Sequence, residues 1–347
     1  MRTTRRDLLN SFATVGPIGA LSLGMLQAGA AFGDTNKGDK HKGAGKEPSQ
    51  KSLYGKGPAL EGPYLDLRTG HGNKLAYARI QGDLDNTKQK YFWFKGYVTG
   101  VRPGKKIDDL CGAEGFGAIR LNVLPDGSIQ RMCREIIVYT DIRSGEVLEE
   151  WKNPYLNETV KVVHVDNDPF NYMIEDYFPA PPSFGGINKE KAPPRVPFIL
   201  PWYQHGDWLE MEMHIHLAYP NALQPAKWPR ESSGPIVQVS EFFAHHVKAS
   251  DMQNEKLTTV DYRGTWNRIT PWLPWMLMGQ MPGQCQYACF MGTTPDLEQV
   301  LHRPVLDYAE KHYKKYFEAP TEYTAVRSLS SLEHYAQRQT PQPPKAE

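Results

Sequence analysis

Two histidines and two glutamates share one side of a short stretch. In Asp207-Trp208-Leu209-Glu210-Met211-Glu212-Met213-His214-Ile215-His216-Leu217-Ala218-Tyr219, apolar and polar residues alternate. Successive side chains of a strand point to opposite faces. The alternation therefore predicts a strand with Leu209, Met211, Met213, Ile215, Leu217 and Tyr219 on one face and Glu210, Glu212, His214 and His216 on the other. His214-x-His216 sets two imidazoles about 6–7 Å apart. That spacing recurs in β-barrel metal sites, where a carboxylate or a third histidine completes the ligand set around one divalent ion. Glu212 or Glu210 would supply the carboxylate, and His205, His245 and His246 are candidate third ligands. The same row could move protons, with His214, His216 and Glu212 as acid and base. The competing reading is a solvated outer face. Burying each aliphatic side chain contributes roughly 1.5–3 kcal/mol, so the apolar face must be covered. If it lines a barrel, the row points into water. If other elements cover it, the row lines the lumen.

Other residues offer chemistry in weaker patterns. His164, in Val163-His164-Val165 with Asn167 and Asp168 following, has the make-up of a base with an orienting group, or of a histidine packed in the core. Tyr91, Trp93, Tyr97, Tyr139 and Tyr262 lie in strand-like stretches, as the wall of a ligand cavity or as aromatic core. In Thr270-Pro271-Trp272-Leu273-Pro274-Trp275-Met276-Leu277-Met278-Gly279, the two prolines forbid a regular helix. Trp272, Trp275 and Met278 there would be a lid over an apolar ligand, or a plug at one end of a barrel. No Gly-x-Ser-x-Gly, Walker, Gly-x-Gly-x-x-Gly or Cys-x-x-Cys-His motif occurs. Serine hydrolase, nucleotide, flavin and c-type haem chemistry therefore rank low.

Strands must position these groups. Lys90–Val101, Gly117–Leu124, Ser128–Asp141, Val147–Trp151 and Glu158–Val165 follow one another with turn signals between, among them Pro125-Asp126-Gly127 and Arg143-Ser144-Gly145. Ile236–Lys248 and Leu257–Ile269 come later, after the Pro-rich stretch Pro179–Pro201. Helical spacing is confined to the region after Pro304, where Leu306, Ala309, Tyr313 and Phe317 recur on one stripe. The expected fold is mainly β: a large antiparallel β-barrel or strongly curved meander sheet with a C-terminal helix, with a β-sandwich as the alternative.

The ends carry different signals. Thr4-Arg5-Arg6-Asp7-Leu8-Leu9, an apolar run from Phe12 to Leu26 and Ala28-Gly29-Ala30 form a twin-arginine leader pattern over residues 1–30. This predicts export to the periplasm or an equivalent compartment, with the twin-arginine machinery as partner. The run is too short and too weakly apolar for a stable membrane span. Residues 31–58 read as a disordered linker, 59–320 as a single β-rich domain and 321–347 as a loose tail. A net charge of +1 gives nucleic acid no electrostatic footprint. Four cysteines, Cys111, Cys133, Cys285 and Cys289, permit two bridges in an oxidising compartment or remain free and buried.

Two segments resemble a known family: Trp151-Lys152-Asn153-Pro154-Tyr155-Leu156-Asn157-Glu158-Thr159-Val160 with Val163–Pro169, and Thr265-Trp266 with Pro271–Gly283. The chain from about Leu60 to Phe317 is similar to exported proteins catalogued as domain of unknown function 1838, whose bacterial members often carry twin-arginine leaders. The resemblance implies a shared fold and a shared pocket, and carries over no catalytic residue. The expected function is an exported enzyme that moves protons on an apolar or aromatic small molecule, as an isomerase, cyclase or lyase, with a metal as an option. The alternative is a non-catalytic binding protein for the same ligands, and an envelope-associated structural protein ranks third.

Overall fold

The computed structural model describes residues 58–178, 195–326 and 328–344. The expected leader, nearly all of the linker and most of the Pro-rich stretch lie outside the described residues.

Twelve strands are present among them: β1 (Lys90–Val101), β2 (Asp108–Val123), β3 (Ile129–Thr140), β4 (Glu150–Asn153), β5 (Glu158–Lys161), β6 (Val165–Asn167), β7 (Tyr172–Ile174), β8 (Trp202–His205), β9 (Trp208–Pro220), β10 (Ile236–Lys248), β11 (Arg263–Thr270) and β12 (Gln284–Thr294). The helices are α1 (Gly70–Gln81), α2 (Ala249–Met252), α3 (Arg303–His312) and α4 (Ser331–Arg338). Ten strands form one antiparallel sheet in the order β6-β3-β2-β1-β12-β11-β10-β9-β8, with β7 also on β3; β4 and β5 make a separate hairpin. β1 to β3 and β8 to β12 each pair in sequence order, β6 and β7 return to pair with β3, and β1 joins β12. That join brings both halves of the chain into one curved meander.

The sheet does not close into a barrel. β6 and β8 are its edges, only three and four residues long. Short edges offer little template for another chain. The segment Ser328–Ser331 and the start of α4 flank the opening beside β6 instead of a ladder.

The concave face carries the even-numbered residues Phe92 and Phe94 of β1 and the odd-numbered residues of β3 and β9 that line it, and the convex face carries their neighbours such as Trp93, Ile136 and Val138. Phe92 and Phe94 turn inward opposite Gly117 and Gly115. A Cβ on Gly117 would sit 2.1 Å from the Phe92 ring, so these glycines make room for the two rings. On the convex side of β1–β3, Trp93, Phe116, Ile136 and Val138 form a second core with Val305, Leu306 and Ala309 of α3. Pro304 occupies the first turn of α3, where its missing N–H costs nothing.

Two features depart from expectation. α1 has no apolar stripe because nearly all of it is buried. Its polar residues are held individually: Asn73 Nδ2 donates to Leu67 O and Thr69 O, and Asn73 Oδ1 accepts from Trp202 Nε1 at 2.7 Å. The stretch read as a loose tail contains α4, started by a capping box between Ser330 and Glu333 and docked with Tyr335 5.8 Å from Trp228. Of the two readings open for the cysteines, the structure has all four free and buried.

Candidate active site

Curvature of the sheet encloses a cavity of about 250 Å³ on its concave side. This is near the lower end of the range for small-molecule sites. Its walls are mostly apolar: Phe92 and Phe94 from β1, Met213, Ile215 and Leu217 from β9, Phe243 from β10 and Trp266 from β11. Into this wall the same inward register sets charged groups. On β3 they are Arg131 and Glu135, on β10 Glu241, on β11 Arg268. His245 of β10 and Tyr262 complete one side.

Glu135 stands opposite Asn167 in the β3–β6 ladder, and Asn167 Nδ2 donates to its Oε1 at 2.8 Å. Burial pushes the Glu135 carboxyl up to about 7, against the opposing pull of Asn167 and Arg131. The charge of Glu241 adds to the rise. A carboxyl at that value exchanges a proton readily in either direction at neutral pH.

Glu241 and Arg268 are partners in the β10–β11 ladder, with Nε 3.2 Å from Oε1. The contact has the distance of an ion pair without the angle of a hydrogen bond, since Arg268 Nε has no hydrogen-bond acceptor. Burial raises the Glu241 carboxyl and Arg268 partly offsets it. Both side chains keep under a fifth of their surface, 16% and 19%, and both line the cavity. Arg131 lies over the rings of Tyr172, Phe170 and Phe92 at 4.7, 5.2 and 5.9 Å and donates to Phe170 O. Burial holds His245 down at about 3, so it is a neutral ring at physiological pH. Its Nδ1 has no partner, and Tyr262 stands 4.7 Å away.

A smaller pocket of about 60 Å³ adjoins this one and shares Val165, Tyr219, Arg268 and Ser331 with it. His164 lines it with Trp272 and Trp275. His164 Nδ1 accepts from the Tyr139 N–H at 3.1 Å, so the proton of the neutral ring is on Nε2, which has no acceptor. Burial lowers this histidine to about 4, with His312 adding to the effect, so it offers a donor and is a poor base. α4 borders both pockets and is tied down by an Arg338–Asp166 ion pair.

The structure separates the residues singled out in the sequence. Tyr262 reaches the main cavity, and Trp272, Trp275 and His164 reach the smaller pocket. Trp275 is buried at 5.5 Å from Trp151 and 5.3 Å from Tyr139, and Met278 Sδ accepts from Asn153 Nδ2. Tyr97 lies on the convex face, 55% exposed. It borders an open groove that also holds Lys95 and the Glu114–His302 pair.

Glu212, His214 and His216 are not at the cavity. The apolar face of β9 lines it, so the row points away from it. His214 and His216 are exposed and flank the Phe242 ring at 5.2 and 5.4 Å. His216 Nδ1 meets Ser240 Oγ at 3.0 Å, and His214 Nε2 lies 3.5 Å from Glu212. The proposed third ligand His245 is on the opposite face. Among the described residues, no group of three or more His, Cys, Asp or Glu is placed to hold a metal ion.

Glu135, Glu241 and Arg268 were not found from sequence. A signal existed: Glu241 interrupts an apolar register between Val239 and Phe243, and Glu135 stands between Cys133 and Ile137.

A family model described as Protein of unknown function (DUF1838) matches residues 87–339, which include every strand of the sheet and α4. No curated protein matches the chain.

Proposed function

From the premise that the chain belongs to the DUF1838 family, we propose that it is an enzyme that moves a proton on a small, apolar or aromatic molecule enclosed by the curved sheet. Glu135 is the acid–base group. The observation that supports this most is the pair of carboxylates and pair of guanidiniums on the inner wall of a mostly apolar cavity. Burying an ion costs several kcal/mol even after relaxation. A wall that only had to pack would be more stable with apolar residues there. The carboxyl of Glu135, with one oxygen held by Asn167, combines a fixed position with a proton that leaves and returns near neutral pH.

Solvent-deuterium exchange tests the reading. Small aromatic ketones are incubated in D₂O with the protein, and C–H exchange is followed by NMR. The wild type should exchange at least one of them, and Glu135→Gln should slow it by about 100-fold or more. No exchange, or equal exchange by the variant, would remove the reading.

The contact between Glu241 and Arg268 favours a second reading, a binding protein for the same ligands, in which the charges serve only each other. Export belongs to the proposal as well, on the Arg5-Arg6 leader pattern. Replacing both arginines with lysine should leave the precursor in the cytoplasm. Unchanged export would count against a twin-arginine route.

A further inference from the structure

We propose that Arg268 is the oxyanion-binding group of this cavity and that the substrate is an uncharged carbonyl compound with an acidic C–H beside its carbonyl. The inference rests on the proton-transfer reading above.

A guanidinium has five N–H donors in a fixed fork. Among the described residues, Arg268 makes no hydrogen bond to protein: Glu241 acts on it as a charge, and Nε is buried without an acceptor. A buried arginine in this protein need not be left so. Arg79 spends its terminal nitrogens on the carbonyls of Met252, Asp251 and Asn254 at 2.8–3.0 Å. Arg268 instead lines both the main cavity and the smaller pocket, at their junction. Its unsatisfied fork is placed to receive oxygen from a bound molecule, in the geometry by which guanidinium groups take oxyanions.

Charge balance selects the substrate. Two arginines and two glutamates line the cavity, so it is neutral while Glu135 is ionised. An uncharged ligand leaves it so. An anionic ligand would make it negative, and Glu135 would answer by taking up a proton and ceasing to be a base. With a neutral carbonyl compound, Glu135 removes the proton from the carbon next to the carbonyl. The C–H electron pair becomes the C=C bond, and the carbonyl π pair moves to oxygen. The negative charge passes from Glu135 to that oxygen, and the sum stays zero. The proton on Glu135 then returns to the same or a different carbon, and neither oxidant nor co-reactant is consumed. Arg268 meets the new charge without having to reorganise, which is where such donors act most strongly. Glu241 is a positioning residue that fixes the guanidinium and balances its charge.

Para-nitrophenol tests this, because its phenolate resembles an enolate and announces its ionisation by colour. Naphthalene serves as a neutral probe of cavity access and of the fold of each variant. In the wild type, bound para-nitrophenol should ionise about one pH unit or more below its value in water. Arg268→Met should bind naphthalene as before and lose the shift. Arg268→Lys, which keeps the charge and loses the fork, should fall between, and it carries the test if the methionine variant does not fold. Nitrophenol bound as the neutral phenol, or a shift unchanged in the variants, would overturn the oxyanion assignment and leave Glu135 as the acid–base group. If neither probe enters the wild type, the enclosed site itself is refuted, and this inference with it.

Discussion

Asn167 faces Glu135 directly across the β3–β6 ladder and donates to its Oε1 at 2.8 Å. The bond favours the carboxylate, while burial favours the acid and is the larger influence. Asn167→Leu removes the donor. The Glu135 carboxyl should then titrate at higher pH, read by NMR of labelled glutamate. A downward shift or none would show that Asn167 does not hold the charged form.

Glu135 also makes stability depend on pH. Its pKa of about 7 in the fold lies above its ordinary 4.5, so between these values the folded state binds more protons than the unfolded. Its contribution is full below about 4.5 and is lost as pH rises through about 7. Glu135→Gln abolishes that loss. Denaturant unfolding should find the variant more stable than wild type in mildly alkaline buffer, by up to about 3 kcal/mol, while proton exchange into ligand fails. A variant less stable than wild type there would show that the carboxylate is well accommodated.

Two histidines drawn out of water act in the opposite direction. His245 and His164 are held neutral, at about 3 and about 4 against an ordinary 6.5, mainly by burial. Stability linked to them is full above about 6.5 and lost as pH falls through their folded values. His245→Phe keeps the ring shape and discards an Nδ1 without a partner. It should cost under about 1.5 kcal/mol at neutral pH and unfold at lower pH than wild type. An unchanged acid midpoint would assign the acid limb to other groups.

The β-rich class, the meander and the helix after Pro304 were legible because each rests on local periodicity and turn residues. The direction of the Glu/His row was not. Alternation shows that Glu212, His214 and His216 share a face, but only the curvature of the whole sheet decides which face is inside. β12 was missed because Cys285, Tyr287, Cys289 and Met291 alternate with residues as mixed as Gln286, Ala288 and Phe290. Its partner β1 lies far away in sequence, so no local signal announces the join. α1 was missed for a different reason: a helix buried nearly all round has no stripe. Two charged groups of the site, Glu135 and Glu241, were visible as interruptions of apolar registers, yet their convergence depends on ladders that no single strand encodes.

The exposed row yields a clear expectation. His214→Ala and His216→Ala should each change stability by no more than about 0.5 kcal/mol and leave proton exchange intact. Loss of exchange in either variant would return the site to the convex face.

Trp275 packs against Trp151 and Tyr139 and is 3% exposed. Trp275→Ala should cost about 3–5 kcal/mol, with a smaller effect on cavity binding. Calorimetry alongside naphthalene titration separates the two. A stable variant with abolished binding would make this residue a lid.

The central claim is that Glu135 is a cavity-lining carboxyl poised to gain and lose a proton near neutrality. Infrared difference titration of the carboxylic-acid C=O band measures this without a substrate. A band that disappears with a midpoint near pH 7 in the wild type and is absent from Glu135→Gln is the expected result. A Glu135 band that titrates at its ordinary value near 4.5, or one that survives the substitution, would contradict it.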